Sequence, residues 1–290
     1  NFSRKARVII VLLCIIFLGI FVFSQEKSTI FQSLPTIKQS SDQRSPEETQ
    51  KDFDEFINTI FIEEVSDDSI TLNYSVKNKQ QYGLEGTTPT LGDASIQSMK
   101  DSLFISENRL ASMETFNYDN LTSEQQLVYD IIYNMLKQNL QASGILEYSE
   151  HLGPVTGIQA QLPVLLAEFN FYEKDDIDTY IELLRLVPAY FDSIIEFEKE
   201  KSSKGLFMSD TTAQAIIDQC NEFAETNDEN YLITVFNNKI KKFEGLTEEE
   251  TTSYINSSTK AVTECVIPAY KNLINALVKL KGTGENDNGL

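Results

Sequence analysis

This 290-residue sequence offers chemistry one histidine, two cysteines beyond its apolar N-terminus and 44 carboxylates. An imidazole can act as ligand, base or acid. His151, however, stands beside Gly153 and Pro154, the setting of a structural or exposed loop residue. A zinc site takes at least two or three protein ligands from His, Cys and carboxylate, and one His with the distant Cys220 and Cys265 fits that need poorly. There is no HExxH, and a Ser-His-Asp set would have to run through His151 without a GxSxG elbow. Adjacent acids such as Glu63 with Glu64, Asp67 with Asp68 and Asp175 with Asp176 fit helix starts and wet faces. A glycosidase would need two of them facing one pocket, and no pair is singled out. No catalytic and no metal-binding residue is therefore assigned.

The most informative stretch is the uncharged run His151 to Ala167, HLGPVTGIQAQLPVLLA, inside an otherwise densely charged chain. Such a run is expected to be buried. Its two amides, Gln159 and Gln161, need hydrogen-bond partners wherever they are buried, so the run is a core crossing or the wall of a cleft. Tyr172, Tyr180, Tyr190 and Phe191 fall at helical spacing and read as packing rather than as a ligand platform.

The elements that would position these residues are helical. Ser45 caps a helix with Pro46 at its first position, and Phe53, Phe56, Ile57, Ile60 and Phe61 form its apolar stripe. Ile70, Leu72, Tyr74 and Val76 alternate like a strand, yet the same segment reads equally as a helical turn. A helix spans about Ser95 to Phe116. Thr122 with Gln125 makes a capping box before Leu127, Val128, Ile131, Ile132, Met135 and Leu136. Asp175 to Val187 is helical, and Pro188 either kinks that helix or opens the next, which stops at Gly205. Ser209 or Asp210 starts a helix through Ala224, and Tyr231 to Phe243 gives another. Thr247 with Glu250 makes a second capping box on a helix that runs, with a kink expected at Pro268, to Lys281. The expected fold is mainly α, a multi-helix domain.

Composition limits the partners. A net charge of −20 argues against nucleic acid, which is bound through clustered Lys and Arg. Arg4, Lys5 and Arg7 precede sixteen apolar residues, Val8 to Phe23, so residues 1–24 read as a signal peptide or a signal anchor that meets the membrane through residues 8–23. With the basic residues inside, the rest lies outside the cytoplasm, secreted or membrane-anchored. Without residues 1–24 the chain keeps 21 basic and 44 acidic residues, a charge of −23. Residues 25–46 are a polar, aperiodic tether, and 47–290 form the helical part. Cys220 and Cys265 are two buried free thiols or, in an oxidising compartment, a pair. The start at Asn1 and the stop in GTGENDNGL read as those of a fragment.

Several segments together carry a resemblance: FDEFINTIFIEEVSDDSITLNY, QYGLEGTTPTLGD, LTSEQQLVYDI, TGIQAQLPVLLAEFNFYEKDDIDTYIELL, KGLFMSD and VIPAYKNL. They resemble the N-terminal half of bacterial proteins of the domain of unknown function 885 family, over about Asp52 to Leu290. Members with this layout are membrane-anchored or secreted proteins of Gram-positive anaerobes. That family is similar to helical zinc metallopeptidases of the HExxH type, and its HExxPGH motif lies in the second half of a protein about twice this long. The resemblance implies a metallopeptidase-like helical fold, zinc and a peptide substrate in the full-length parent, and an N-terminal half that walls a deep cleft. None of the motif positions exists here, so no catalytic residue carries over and no cofactor is expected on this chain itself. Gln159, Gln161, Gly157 and Tyr82 are the expected substrate-binding residues. Asn73 departs from an LHY pattern expected of relatives. The alternative is a non-catalytic helical surface module that binds a ligand or partner. As a half-domain the chain is expected to be only marginally stable alone, because an apolar face would be uncovered.

Overall fold

The computed structural model describes residues 44–225 and 229–285. The expectations for residues 1–24, and for the tether up to residue 43, lie outside these residues. No helix among the described residues is long and apolar enough to cross a membrane. There is no strand among them. The helices are α1 (Pro46–Ser66), α2 (Ser69–Ser75), α3 (Ile96–Met113), α4 (Ser123–Gln141), α5 (Ile158–Glu168), α6 (Lys174–Ser203), α7 (Asp210–Glu225), α8 (Tyr231–Ile240), α9 (Glu248–Ala261) and α10 (Ile267–Leu280), with a π turn at Val262–Val266. The described residues divide into two compact units, one of residues up to Glu63 with Arg109–Asn134, the other of Glu64–Asn108 with those from Met135 onward.

In the first unit the end expected to be tether is already structured at Arg44, whose guanidinium pairs with Asp52 at 2.8 Å. The Ser45 hydroxyl accepts from the Glu48 amide while the Glu48 carboxylate accepts from the Ser45 amide, so α1 begins on a reciprocal cap. The expected box at Thr122 and Gln125 forms in the same way, at 3.1 and 3.3 Å. Phe53 anchors the interior, edge-on to Phe116 and stacked on Tyr129.

The second unit is built around α6. Ile177, Tyr180, Leu183, Leu184, Val187, Phe191 and Ile194 are buried along its length, in one core with α5, α7, α8 and α10. The helix runs through Pro188 for 30 residues, so of the two expected outcomes that proline does not open a new helix. Pro268 is accommodated differently. A proline inside a helix has no N–H to donate and crowds the carbonyl four residues earlier. Here the preceding turn widens into a π turn, and the backbone carries on from α9 through Val262–Val266 into α10. Thr247 and Glu250 form the second expected box at the start of α9.

The ambiguous segment at Ile70 is helical. Asp68 accepts from the amides of Ile70 and Thr71 and starts α2. The helix delivers Asn73, buried, to Asn170: the Asn73 amide nitrogen donates to the Asn170 carbonyl and its oxygen accepts the Asn170 N–H, both at 2.9 Å. An imidazole, whose donor and acceptor point in opposite directions, cannot make both bonds to one residue. Lys239 of α8 donates to the carbonyls of Ala167 and Phe169, satisfying the C-terminal end of α5.

Asn73→Ala removes both bonds to Asn170 together with a buried side chain and should cost about 2 kcal/mol, against about 1 kcal/mol for the exposed cap change Thr247→Ala. Urea unfolding of each variant at fixed pH checks this; equal midpoints would show that the Asn73–Asn170 pair does not hold α2 in place.

Candidate functional site

The neutral run folds as a loop feeding α5. His151 accepts the Ile158 N–H at its carbonyl, and Gly153 accepts the Gly157 N–H, which closes the loop on itself. Gln159, 3% exposed, reaches back from α5: its amide nitrogen donates to the Gly153 carbonyl at 2.6 Å and to Gln219 of α7 at 3.1 Å. Gln219 in turn donates to the Pro154 carbonyl. Tyr270 of α10 donates to the Gln159 carbonyl at 2.7 Å. Gly157 sits where a Cβ would run into the backbone of Gly153 and the side chain of Gln159. Of the four expected substrate contacts, Gln159 and Gly157 thus come together as the fastening of this loop. Gln161 is half-buried two residues beyond Gln159 in the same helix, on a different face. Tyr82 lies apart from them, at the end of the 3-10 turn Lys79–Tyr82, and is also half-buried.

A separate groove of about 650 Å³ opens between the first half of α6 and α9, with Thr87 and Pro89 at its rim. Asp178, Glu182 and Arg185 of α6, at i, i+4 and i+7, line one wall, and Glu250, Ser253, Tyr254 and Ser257 of α9 line the other. Arg185 pairs with Glu182 at 3.0 Å, and Tyr254 donates to Asp178 at 3.4 Å. Lys174 pairs with Glu250 at 2.6 Å; that ammonium first, and then the Thr247 backbone and hydroxyl, hold the Glu250 carboxyl down to about 2. An acid kept ionised in this way is poorly suited to protonate a leaving group. The groove has the chemistry of recognition: hydroxyls, carboxylates and one guanidinium.

Over residues 78–289 the sequence matches the family described as bacterial protein of unknown function (DUF885). The chain belongs to this family. No curated protein matches it. The crystal structure of a protein described as a "putative lipoprotein" from Colwellia psychrerythraea has the same fold, with a TM-score of 0.68 at 14% identity. The likeness covers 83% of this chain and 42% of that one, so this DUF885 chain spans less than half the length of its structural relative.

A second polar cluster in the DUF885 fold lies at the far end of α6. Glu198 is 0% exposed and neither of its carboxylate oxygens has a hydrogen-bond partner. One turn on, Lys201, 1% exposed, donates to the Glu150 carboxylate at 2.8 Å and to the Ser149 carbonyl at 3.2 Å. The His151 ring packs edge-on against Phe197 at 4.4 Å, and its buried Nε2 makes no hydrogen bond. Sequence reading passed over this pair, because EFEKEKSSK looks like a solvated helix face. The signal was present: Phe191, Ile194, Glu198 and Lys201 continue one stripe at helical spacing.

Burial, and then Lys201, hold His151 down to about 4. A metal cation would face the same ammonium, so this histidine is a poor ligand. Among the described residues no group of three or more His, Cys, Asp or Glu is arranged to hold a metal ion. The zinc of the resemblance has no assigned ligand here. Cys220 is buried, its thiol pushed up to about 12, and Cys265 is half-buried; both are free thiols.

Burial pushes Glu198 the other way, up to about 7, with Lys201 opposing and Glu150 adding to the rise. The two groups act on stability with opposite signs. Unfolded, His151 binds a proton below its ordinary 6.5; folded, it refuses that proton down to about 4, so its contribution rises with pH over that window. Glu198 keeps a proton in the fold that the unfolded chain releases above 4.5, so its contribution falls from there to about 7. Each amounts to about 3 kcal/mol, and they nearly cancel between pH 4.5 and 6.5. Compared with wild type, Glu198→Gln should gain about 3 kcal/mol as pH rises from 4.5 to 7, while His151→Phe should lose about as much from 4 to 6.5. Urea unfolding across pH checks this, and parallel curves for all three proteins would refute it. Gly157→Ala should cost about 3 kcal/mol because its methyl meets the Gly153 backbone as well as the Gln159 side chain that fastens the loop; an unchanged midpoint would contradict the closed loop.

Proposed function

We propose that this chain is the helical, ligand-facing part of an extracytoplasmic, zinc-dependent peptidase-like hydrolase whose reacting groups lie outside the described residues. The observation that carries this reading is the groove between α6 and α9, a polar trench of about 650 Å³ with hydrogen-bonding side chains on both walls. An extended peptide exposes a row of N–H and C=O groups that need such partners. Ser253 and Ser257 offer hydroxyls to the main chain, Asp178 and Glu182 favour basic side chains, and Arg185 suits a carboxylate.

Membership of the family and the likeness to 42% of a larger chain support a role as one part of a bigger protein. The basic residues before Val8 and the lipoprotein description of the structural relative support a place outside the cytoplasm. Zinc in the whole protein would supply an activated water. The chain's own residues bind and orient: the groove walls hold the peptide, Tyr82 stays a proposed contact, and so does Gln161, whose side-chain amide makes no hydrogen bond within the described residues. Gly157 and Gln159 act indirectly, by fixing the loop before α5.

A second reading, a binding module without catalysis, is favoured by one observation: the groove is complete within a single unit of this chain. Two measurements separate the readings. The longer protein is expected to cleave members of a random peptide pool and to stop when treated with a chelator; cleavage that ignores the chelator, or none at all, rejects the zinc hydrolase. In that protein Glu182→Gln with Arg185→Met should raise KM about tenfold and leave kcat within about twofold, as loss of ground-state binding does. Unchanged KM would remove the groove from substrate recognition. Tight peptide binding with no cleavage in either protein would establish the module.

A further inference from the structure

Lys201 interacts with two carboxylates of unlike standing. Glu150, on the segment that precedes the neutral run, is half-exposed and holds the ammonium directly at 2.8 Å. Glu198, on the same helix as Lys201, is fully enclosed, feels the Lys201 charge, and has no hydrogen-bond partner for either oxygen. A buried carboxyl without partners is tolerated as the neutral acid and strongly disfavoured as the anion. An enclosed anion can recover what it lost to desolvation only from a cation close by, and Lys201 is the cation acting on it.

The bonds of Lys201 also fasten a segment. The carbonyl of Ser149 and the carboxylate of Glu150 tie Ser149 and Glu150 to the C-terminal half of α6, while Glu147 of the turn Leu146–Tyr148 is held separately by Lys204, the residue that follows the helix. His151, the next residue, rests on Phe197 of the same helix.

We propose that Lys201 is a two-position latch: held by Glu150 and Ser149 while Glu198 is neutral, and drawn to Glu198 once that carboxyl ionises, which unfastens Ser149–His151 while Glu147 stays paired with Lys204. Glu198 is the titrating group, and burial places its titration near 7. The charged groups acting on it are Lys201 from its own helix and Glu150 from the facing segment; on His151 the acting charge is Lys201. His151 is held down to about 4 and stays neutral throughout. Below pH 7 the latch is closed, and above it the entry to the neutral run loosens while the Gln159 bonds keep the loop itself shut.

Amide hydrogen exchange on the full chain tests this, read at Ser149, whose N–H bonds to Leu146, and corrected for the intrinsic pH dependence of exchange. Protection should fall about tenfold between pH 5.5 and 8.5 with a midpoint near 7. Glu198→Gln, which mimics the neutral acid, should stay protected across that range. Glu150→Gln removes both the outer holder and the charge that raises Glu198, so its midpoint should fall; this variant decides the matter should Glu198→Gln not fold. Protection that is flat with pH in the wild type, a step that survives Glu198→Gln, or an unmoved midpoint in Glu150→Gln would each overturn the latch.

Discussion

The second unit depends on burying α6 along almost its whole length. Thirty residues of helix are too long to be apolar throughout, and α6 carries charge into the interior near both ends. The two ends resolve this differently. At the N-terminal end Asp176 is buried but answered from three sides: the amides of Tyr172 and Glu173 donate to one oxygen and the Lys79 ammonium sits 2.6 Å from the other. That arrangement satisfies the rule that a buried charge must be paired and hydrogen-bonded, and it also places a carboxylate at the positive end of the helix dipole. At the C-terminal end Glu198 has no such answer. Its nearest cation is engaged by Glu150 and Ser149, so burial drives it toward the neutral acid. The same helix therefore holds one fixed charge and one titrating group.

Much of this architecture was legible in the sequence, because helices announce themselves through local chemistry. Both capping boxes form as read, since Thr122 with Gln125 and Thr247 with Glu250 need only three residues of chain to find each other. The burial of the neutral run was legible only in part. Leu152, Gln159, Leu162, Pro163 and Leu166 are buried, but residues 154–156 form an exposed loop tip and Val164 faces outward. Lack of charge marks a segment as tolerant of burial without saying which of its faces is covered. What Gln159 faces was not legible. Its partners, Gln219 and Tyr270, are 60 and 111 residues away, and nothing in a linear spacing connects them. Of the two alternatives at Pro188 the structure excludes a new helix start: the cost of a proline within a helix is local, whereas the burial of Val187, Phe191 and Ile194 on either side of it is a gain shared by the whole core. The strand-like alternation at Ile70 lost to a cap: Asp68 commits the chain to a helical turn before alternation can matter.

The candidate site was less legible than the fold. A groove is a relation between distant segments, and Asp178, Glu182 and Arg185 look like any solvated helix face until α9 is set against them. Glu198 and Lys201 were obscured for the opposite reason. Acidic and basic residues three apart on a helix are usually a surface pair of small consequence, and only the continuation of the apolar stripe from Phe191 marks them as interior.

The groove and the neutral-run loop lie on different parts of the fold, yet both are built on the same two rods. One is α6, which carries Asp178, Glu182 and Arg185 in its first half and Phe197, the rest for the His151 ring, near its other end. The other is the continuous run of α9, the π turn and α10. Tyr254 on α9 lines the groove, and Tyr270 on α10 packs edge-on against Phe191 of α6 and donates to the Gln159 carbonyl. The π turn before Pro268 is what lets these two tyrosines belong to one run of helix: a break there would free the groove wall to shift without moving the loop. With the run intact, a displacement of α9 against α6 must be taken up at Tyr270 and hence at the start of α5. Stiff helices joined at buried aromatic contacts transmit such shifts far better than loops do, because a close-packed interior does not deform continuously. A change in how firmly the Ser149–His151 segment is tied to α6 therefore acts on an element that the groove also depends on.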